Sequence, residues 1–168
     1  MRRALALALM TSTLFGSLAH AQGAASPSQA EISVLEKAFD DAVVAARASL
    51  PVFWQRLAEN PGGPDDYGLK VAFKNPRGQT EEVWLQDIKR NGARIVGRLN
   101  YDPETLPNLR RSDIVPIREA DIVDWTFKEG RKRYGHFTTR VLAKLRPEES
   151  AKTMALLSDN PLPADARH

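Results

Sequence analysis

The feature that most constrains the fold is a change of hydrophobic period at residues 59–66, where the sequence reads ENPGGPDD. Before this segment, from Ile32 to Leu57, apolar residues recur at spacings of three and four, which is typical of a helix with one apolar face. After it, short segments alternate apolar and polar residues, which is typical of half-buried strands. The prolines and glycines between them end the helical part of the chain.

The helical segment is predicted over residues 31–60 and contains one interruption. Pro51 cannot donate a backbone hydrogen bond and disfavours helical geometry at Leu50. We therefore expect either a kink near Pro51 or a second short helix capped by Ser49. A further short helix is predicted over residues 147–157, because it begins with a proline followed by two acidic residues.

The β-rich part is predicted over residues 61–146 and contains about five strands. Its strand-like pieces read YGLKVAFK, EEVWLQDIK, RIVGRLN, the short pair DIVPIR and DIVDWTFK, and HFTTRVLAKL. The connections between them are too short for crossover helices, so neighbouring strands should run antiparallel. The predicted class is therefore α+β, with an N-terminal helix kinked near Pro51, a bent, mainly antiparallel sheet and a short C-terminal helix.

The N-terminal residues read MRRALALALMTSTLFGSLAHAQ and have the pattern of a secretory signal peptide. Two arginines precede an apolar run that reaches about Leu18, and small residues stand before a cleavage site after Ala21. We expect residues 1–21 to be removed and the mature chain to be periplasmic, without membrane insertion. An uncleaved N-terminal helix is the alternative. Residues 22–30 should be a flexible lead-in, and residues 158–168 a disordered tail.

Composition excludes several classes of function. The 168 residues contain 24 Lys and Arg against 21 Asp and Glu; loss of Arg2 and Arg3 with the signal peptide leaves 22 against 21, a net charge of +1. A nucleic-acid partner is therefore not expected, since binding phosphates requires a basic surface. The chain has no cysteine, which excludes disulfides, thiol nucleophiles and thiolate metal sites. We expect no cofactor and no metal.

The order of residues from Tyr67 to Leu145 resembles the bacterial family called domain of unknown function 2314, including its exported YegJ-like members. The segments that carry the resemblance are KVAFKNPRGQTEEVWLQDI, GRLNYDPETLPNLRRSD, IVDWTF and GHFTTRVL. The residues in common are Trp84, Gly97, Asn100, Pro103, Asp113, Asp124, Trp125, Gly135, Thr138 and Arg140. The resemblance implies a small α+β domain and no established activity. Where the family often has Gly-Gly-Tyr-Thr, this chain has GHFT, so the pattern does not require His136.

The candidate catalytic residues are His136 and Asp124, which could act as a general base and the acid that orients it. Neither Ser112 nor Thr138, the conceivable nucleophiles, lies in a GxSxG or comparable motif. We therefore predict no catalytic residue and keep a small hydrolase using His136 with Asp124 as the alternative. No histidine spacing or acidic loop has the form of a metal site.

The expected function is a non-enzymatic module that binds a protein or peptide of the cell envelope. Its predicted contacts are Trp84, Trp125, Tyr134, His136 and Arg140, although each tryptophan could instead be a core residue. An immunity-type or inhibitor role is consistent with the size and the compartment, which is an analogy only.

Overall fold

The computed structural model describes residues 28–145 and 147–166. The helices of these ranges are α1 (Gln29–Ala48), α2 (Leu50–Glu59), α3 (Phe137–Leu145) and α4 (Pro147–Leu156). The strands are β1 (Tyr67–Lys74), β2 (Thr80–Asn91), β3 (Arg94–Leu99), β4 (Ile114–Ile117), β5 (Ile122–Glu129) and β6 (Lys132–Gly135). None of the helices in these two ranges is long and apolar enough to cross a membrane. The expected signal peptide and its cleavage site lie outside the described residues.

The strands form one sheet in the order β4-β3-β2-β1-β5-β6, and every neighbouring pair is antiparallel. The predicted α+β class is confirmed, with six strands in the described residues instead of about five. DIVPIR and DIVDWTFK contribute separate strands, β4 and β5, because a short 3-10 helix at Glu119–Asp121 divides them. The segment EGRKRYG, expected as a turn, pairs as β6 after a tight turn at its start.

Two irregularities bend the sheet. The register between β2 and β3 shifts between Gln86 and Lys89, where Asp87 has a φ of 49°. The register between β1 and β5 shifts between Lys70 and Val71. An extra residue in one strand increases the local twist and bends the strand, so these shifts account for the bent sheet that the sequence predicts.

Helix α1 begins at Gln29 because Ser28 and Glu31 form a capping box. The Ser28 hydroxyl accepts from the Glu31 backbone N–H at 3.3 Å, and the Glu31 carboxylate accepts from the Ser28 N–H at 2.7 Å. This pair satisfies two N–H groups that a helix start leaves unpaired. The expected flexible lead-in, residues 22–30, is therefore helical from Gln29. Residues 22–27 lie outside the described residues.

The interruption at Pro51 divides two helices at Ser49. Pro51 occupies the first turn of α2, where its missing N–H has no helical partner to lose. The expected cap is wrong in one respect, because the Ser49 hydroxyl donates backwards to Ala45 O at 2.8 Å and Ala46 O at 3.1 Å. Ser49 therefore closes α1 and makes no side-chain cap for α2.

One face of the sheet carries the hydrophobic core. Leu69 lies opposite both Leu85 and Trp125 in the strand register, so these three fully buried side chains share a face. Helices α1 and α2 cover them: the Trp125 indole N–H donates to Ala46 O at 2.9 Å, and the Phe53 ring lies 6.0 Å from that of Trp125. Removing a buried aromatic ring such as Phe53 costs about 3–5 kcal/mol, so this face contributes a large part of the stability.

The segment 136–145, expected as a strand, is helical from Phe137. Gly135 and His136 have φ values of 77° and 57°, so the chain turns sharply out of β6. The Asp124 carboxylate then accepts from the backbone N–H groups of Phe137 at 3.1 Å and Thr138 at 2.8 Å. A carboxylate at a helix start stabilises the helix because it accepts hydrogen bonds from unpaired N–H groups and interacts favourably with the positive end of the helix dipole. This long-range contact outweighs the strand propensity of the Thr-Thr pair.

Residues 158–166, expected as part of a disordered tail, pack against the outer edge of the sheet. The Ser158 N–H donates to Arg133 O at 2.9 Å, and Pro161 O accepts from the Gly135 N–H at 2.8 Å. Asp165 forms an ion pair with Arg56 of α2 at 2.6 Å. The C-terminal segment therefore covers the backbone of β6, an edge strand that would otherwise be open to pairing with another chain.

Candidate functional site

The face of the sheet opposite the core contains a cavity of about 330 Å³. Gly68 lies opposite Gln86 on one side and Thr126 on the other, and side chains alternate along strands, so this row faces away from Leu69 and Trp125. Helix α4 and the residue after it form the second wall, through Thr153, Leu156 and Leu157. The other lining residues include Trp84, Asn100, Tyr101, Arg133 and His136.

Gly68 keeps the floor of the cavity open. A Cβ atom at this position would lie 3.1 Å from Thr126 Cγ2, 3.2 Å from Leu85 O and 3.7 Å from the Trp84 ring. These separations are at or below ordinary van der Waals contact, so any side chain at position 68 would occupy the space in front of Thr126. The glycine thus leaves space beside the Thr126 methyl group, while the Thr126 hydroxyl stays buried.

Two polar atoms of the lining have no hydrogen-bond partner among the residues that the structure describes. They are the Oγ1 atom of Thr126, a residue only 6% exposed, and the Oδ1 atom of Asn100. Buried polar atoms are nearly always hydrogen-bonded, and an unpaired one costs about 1–3 kcal/mol. Both residues line the same cavity, while the two unpaired atoms themselves are closed off from solvent.

Trp84 and His136 form an aromatic wall of the cavity. Their ring centroids are 4.9 Å apart with the planes inclined at 45°, and the His136 Nδ1 atom lies 3.3 Å from Thr139 Oγ1. Burial is the main cause that lowers the pKa of His136 to about 4, and the charges of Arg133, Arg140 and Lys70 act in the same direction. The imidazole is therefore neutral at neutral pH.

Asp124 is fully buried and has a structural environment. Besides the N–H groups of Phe137 and Thr138, its carboxylate accepts from the Trp125 N–H at 2.8 Å and the Thr138 hydroxyl at 2.6 Å. Burial raises the pKa of Asp124, and these four hydrogen bonds oppose that effect because they favour the charged carboxylate. Lys70 lies on the other side of the Thr138 hydroxyl, at 3.4 Å, and pairs with Glu82 at 2.9 Å.

The two candidate catalytic residues do not form a base–acid pair. No hydrogen bond joins Asp124 to His136 within residues 28–145 and 147–166; the carboxylate is occupied by α3 and the imidazole by Thr139. A general base oriented by an acid requires that contact. The same ranges contain no group of three or more His, Cys, Asp or Glu side chains that could hold a metal ion.

Of the five predicted binding contacts, the structure brings Trp84 and His136 together at the cavity. Trp125 is 0% exposed and belongs to the core, because its indole donates inward to α1, so its predicted role as a surface contact is wrong. The Tyr134 ring stacks on Phe127 at 5.3 Å. Arg140 Nε donates to Gly135 O at 3.0 Å, which connects α3 to the end of β6.

The sequence interpretation did not select Gly68, Asn100 or Thr126 as site residues. Asn100 carries part of the family resemblance, but nothing in the sequence relates it to Thr126. Only the strand order, in which β3, β2, β1 and β5 are successive neighbours, brings the three residues to one cavity. The alternation of Thr126 with the apolar Trp125 and Phe127 was a signal that its side chain faces away from the core.

The fold and the cavity define a small α+β protein whose antiparallel sheet has a hydrophobic core on one face and a small, partly polar site on the other. The chain belongs to the bacterial family described as "Uncharacterized protein conserved in bacteria (DUF2314)", whose model matches residues 36–155. The family resemblance seen in the sequence is thereby confirmed.

"Uncharacterized protein YegJ" of Escherichia coli (strain K12) is 28% identical over 116 residues, which cover 69% of this chain and 74% of that protein. "Putative ankyrin repeat protein NMB1133/NMB1171" of Neisseria meningitidis serogroup B (strain ATCC BAA-335 / MC58) is 35% identical over 69 residues, or 41% of this chain and 27% of that protein. No solved structure matches the chain.

Proposed function

We propose that this protein is a non-enzymatic, exported module that binds a peptide segment of a cell-envelope protein in the cavity between the sheet and α4. The observation that carries the proposal is the cavity itself, which combines the aromatic rings of Trp84 and His136 with the polar residues Asn100 and Thr126. A concave site with an apolar lining and a few convergent polar groups is the usual form of a binding pocket.

The surroundings of the cavity favour a protein or peptide over an isolated small molecule. Leu156 lines the cavity and is 58% exposed, and Tyr101 lines it and is 38% exposed. Exposed apolar residues at the rim of a cavity can contact the surface of a partner around the side chain that enters the cavity. Protein interfaces have this arrangement, with an anchor side chain in a central pocket and a ring of further contacts that excludes water.

The hydrolase alternative has less support. Asp124, its proposed orienting acid, already accepts four hydrogen bonds and is closed off from the cavity by full burial. Neutral His136 contacts Thr139, whose hydroxyl has no nucleophile motif around it. A binding role does not require a hydrogen bond between Asp124 and His136, which is missing among the described residues.

Export is part of the proposal because residues 1–21 have the pattern of a signal peptide. Cell fractionation of the full-length chain tests it, and mass spectrometry of the recovered protein should show an N-terminus at Gln22. Within the envelope, an immunity-type or inhibitor role is consistent with a small, cysteine-free module. That role rests on analogy with other small periplasmic proteins.

Site-specific photo-cross-linking tests the binding function. A benzoylphenylalanine replaces Tyr101 at the cavity rim, and a matched control variant carries it at Val44, which is 67% exposed on α1 on the core side of the sheet. Illumination of cells should attach one defined peptide to position 101 and not to position 44. No adduct, or the same adducts from both positions, would refute a peptide site at the cavity.

A further inference from the structure

The basic side chains on the cavity face of the sheet differ in their partners. Arg133 lies opposite Lys128 in the register of β5 and β6, and Lys128 is two residues from Thr126, so the three share this face. The other basic residues of this face have carboxylate partners: Lys70 with Glu82 at 2.9 Å, Arg98 with Asp87 at 3.8 Å and Lys128 with Asp66 at 3.9 Å. Arg133, which lines the cavity, forms no ion pair with the residues that the structure describes.

The Arg133 guanidinium is held in place but keeps free donors. One of its N–H groups donates to Asp65 O at 2.8 Å, and the Arg133 carbonyl accepts from the Ser158 N–H at 2.9 Å, which fixes the backbone. Because a guanidinium carries five N–H donors, several remain for an occupant of the cavity. Among the groups of an unmodified peptide, a carboxylate is the one that accepts two parallel hydrogen bonds from this planar fork.

The charge around the cavity favours a negative group. Besides burial, which is the main cause, the charges of Arg133, Arg140 and Lys70 lower the pKa of His136, so the potential at this wall is positive. Asp65 is the acidic residue of the lining, and its carboxylate is 70% exposed, where water and salt screen its charge. A carboxylate that leaves water for this wall therefore gains the Arg133 guanidinium as an ion-pair partner.

We propose, resting on the peptide-binding function above, that Arg133 binds a carboxylate of the partner peptide and anchors it at the β6 end of the cavity. Trp84 lies on β2, three positions from β6 in the strand order, so the rest of the peptide extends towards the aromatic end of the cavity. The carboxylate belongs either to the C-terminus of the peptide or to an acidic side chain, and both present the same group to the guanidinium.

The test is an NMR titration of the purified protein with three probes. N-acetyl-leucine carries an α-carboxylate, N-acetyl-glutamic acid α-amide carries only a side-chain carboxylate, and N-acetyl-leucinamide carries neither. At least one carboxylate probe should bind about tenfold more tightly than N-acetyl-leucinamide, because charge-assisted hydrogen bonds are roughly twice as strong as neutral ones. Its binding should also shift the Nε–H signal of Arg133.

The same titration identifies the source of the carboxylate. Tighter binding of N-acetyl-leucine assigns the site to a chain terminus, and tighter binding of the glutamic acid probe assigns it to an acidic side chain. Equal affinities of all three probes, or no binding by any of them, would refute the carboxylate site.

Paired variants locate the contact. Arg133→Gln removes the charge and can still donate to Asp65 O, so it should bind the carboxylate probes no more tightly than N-acetyl-leucinamide. Arg131→Gln is the matched control, because it makes the same change in net charge at an exposed turn residue outside the lining. It should keep the preference for a carboxylate. Equal losses in the two variants would indicate general charge attraction and would contradict the assigned contact.

A second substitution covers the case in which Arg133→Gln does not fold, as judged by circular dichroism. Arg133→Lys keeps the positive charge and loses the planar pair of donors, so the preference for a carboxylate should fall. An unchanged preference in Arg133→Lys would contradict a contact made through two parallel hydrogen bonds.

The two proposals can fail separately. If an adduct forms at position 101 but the probes show no preference for a carboxylate, the peptide site stands and the carboxylate assignment falls. If the carboxylate probes are preferred through Arg133 but no adduct forms, the Arg133 contact stands and the peptide-binding function falls. If neither an adduct nor a preference is found, both fall.

Discussion

Replacing His136 with asparagine should remove part of the acid sensitivity of the fold. Asparagine is chosen because position 136 has a φ of 57°, a conformation that asparagine adopts more readily than most residues. The native imidazole is partly buried beside Trp84 and lies near three positive charges, so the folded protein resists its protonation. The unfolded chain has no such resistance.

The sign and size of the effect follow from the two pKa values. The pKa of His136 is about 4 in the fold against 6.5 for an unperturbed imidazole. Because the folded value is the lower one, the stabilising contribution is present above pH 6.5 and is lost as the pH falls from 6.5 towards 4. Linkage between these two values gives a loss of about 2 kcal/mol between pH 7 and pH 5.

Urea unfolding of the wild type and of His136→Asn at pH 7, 6 and 5 measures this contribution. Carboxylates shared by the two proteins contribute equally to both curves, so the difference between them isolates the imidazole. The wild type should lose about 2 kcal/mol more than the variant from pH 7 to pH 5. Stability curves that run parallel over this range would show that the imidazole is not held neutral by the fold, and the reasoning would be refuted.

Two further predictions concern the turn into α3. Asp124→Ala should destabilise the fold by roughly 2–4 kcal/mol, because it leaves N–H groups of α3 unpaired. Asp124→Asn should destabilise the fold less, since its amide oxygen can still accept a hydrogen bond. Chemical denaturation measures the free energy of unfolding of both variants. Gly135→Ala should cost more than about 3 kcal/mol, because its Cβ would lie 2.1 Å from Trp125 O. Gly130→Ala is the matched control, because Gly130 also has a positive φ but no atom lies within 4 Å of the added Cβ. We expect it to cost about 1 kcal/mol of stability in thermal unfolding. Equal costs for the two variants would contradict the clash at position 135.

Much of the sheet was predictable because local patterns and tertiary structure agree there. Short alternating segments separated by glycine- and proline-containing turns leave little choice but antiparallel neighbours. β6 was missed because its sequence, KRYG, is basic and ends in glycine, so it reads as a turn. It pairs nonetheless, since β5 presents a free edge and the C-terminal segment covers the far side.

Helix α3 was not predictable from local pattern, because FTTRVL alternates as a strand does. What makes it helical is a carboxylate thirteen residues before Phe137, and sequence periodicity contains no information on such a contact. The same limit applies to the site. Trp84 and His136 drew attention by residue type, whereas Gly68 and Thr126 matter only through the register that aligns them.

The wall formed by α4 and Leu157 has a consequence for when the site comes into being. Every strand of the sheet ends at or before Gly135, while the residues of the opposing wall follow Gly135 by some twenty positions. During synthesis from the N-terminus, the sheet side of the cavity can assemble first and stay open to water. The cavity is then closed in a separate, later step, when residues 153–158 dock onto the edge of β6.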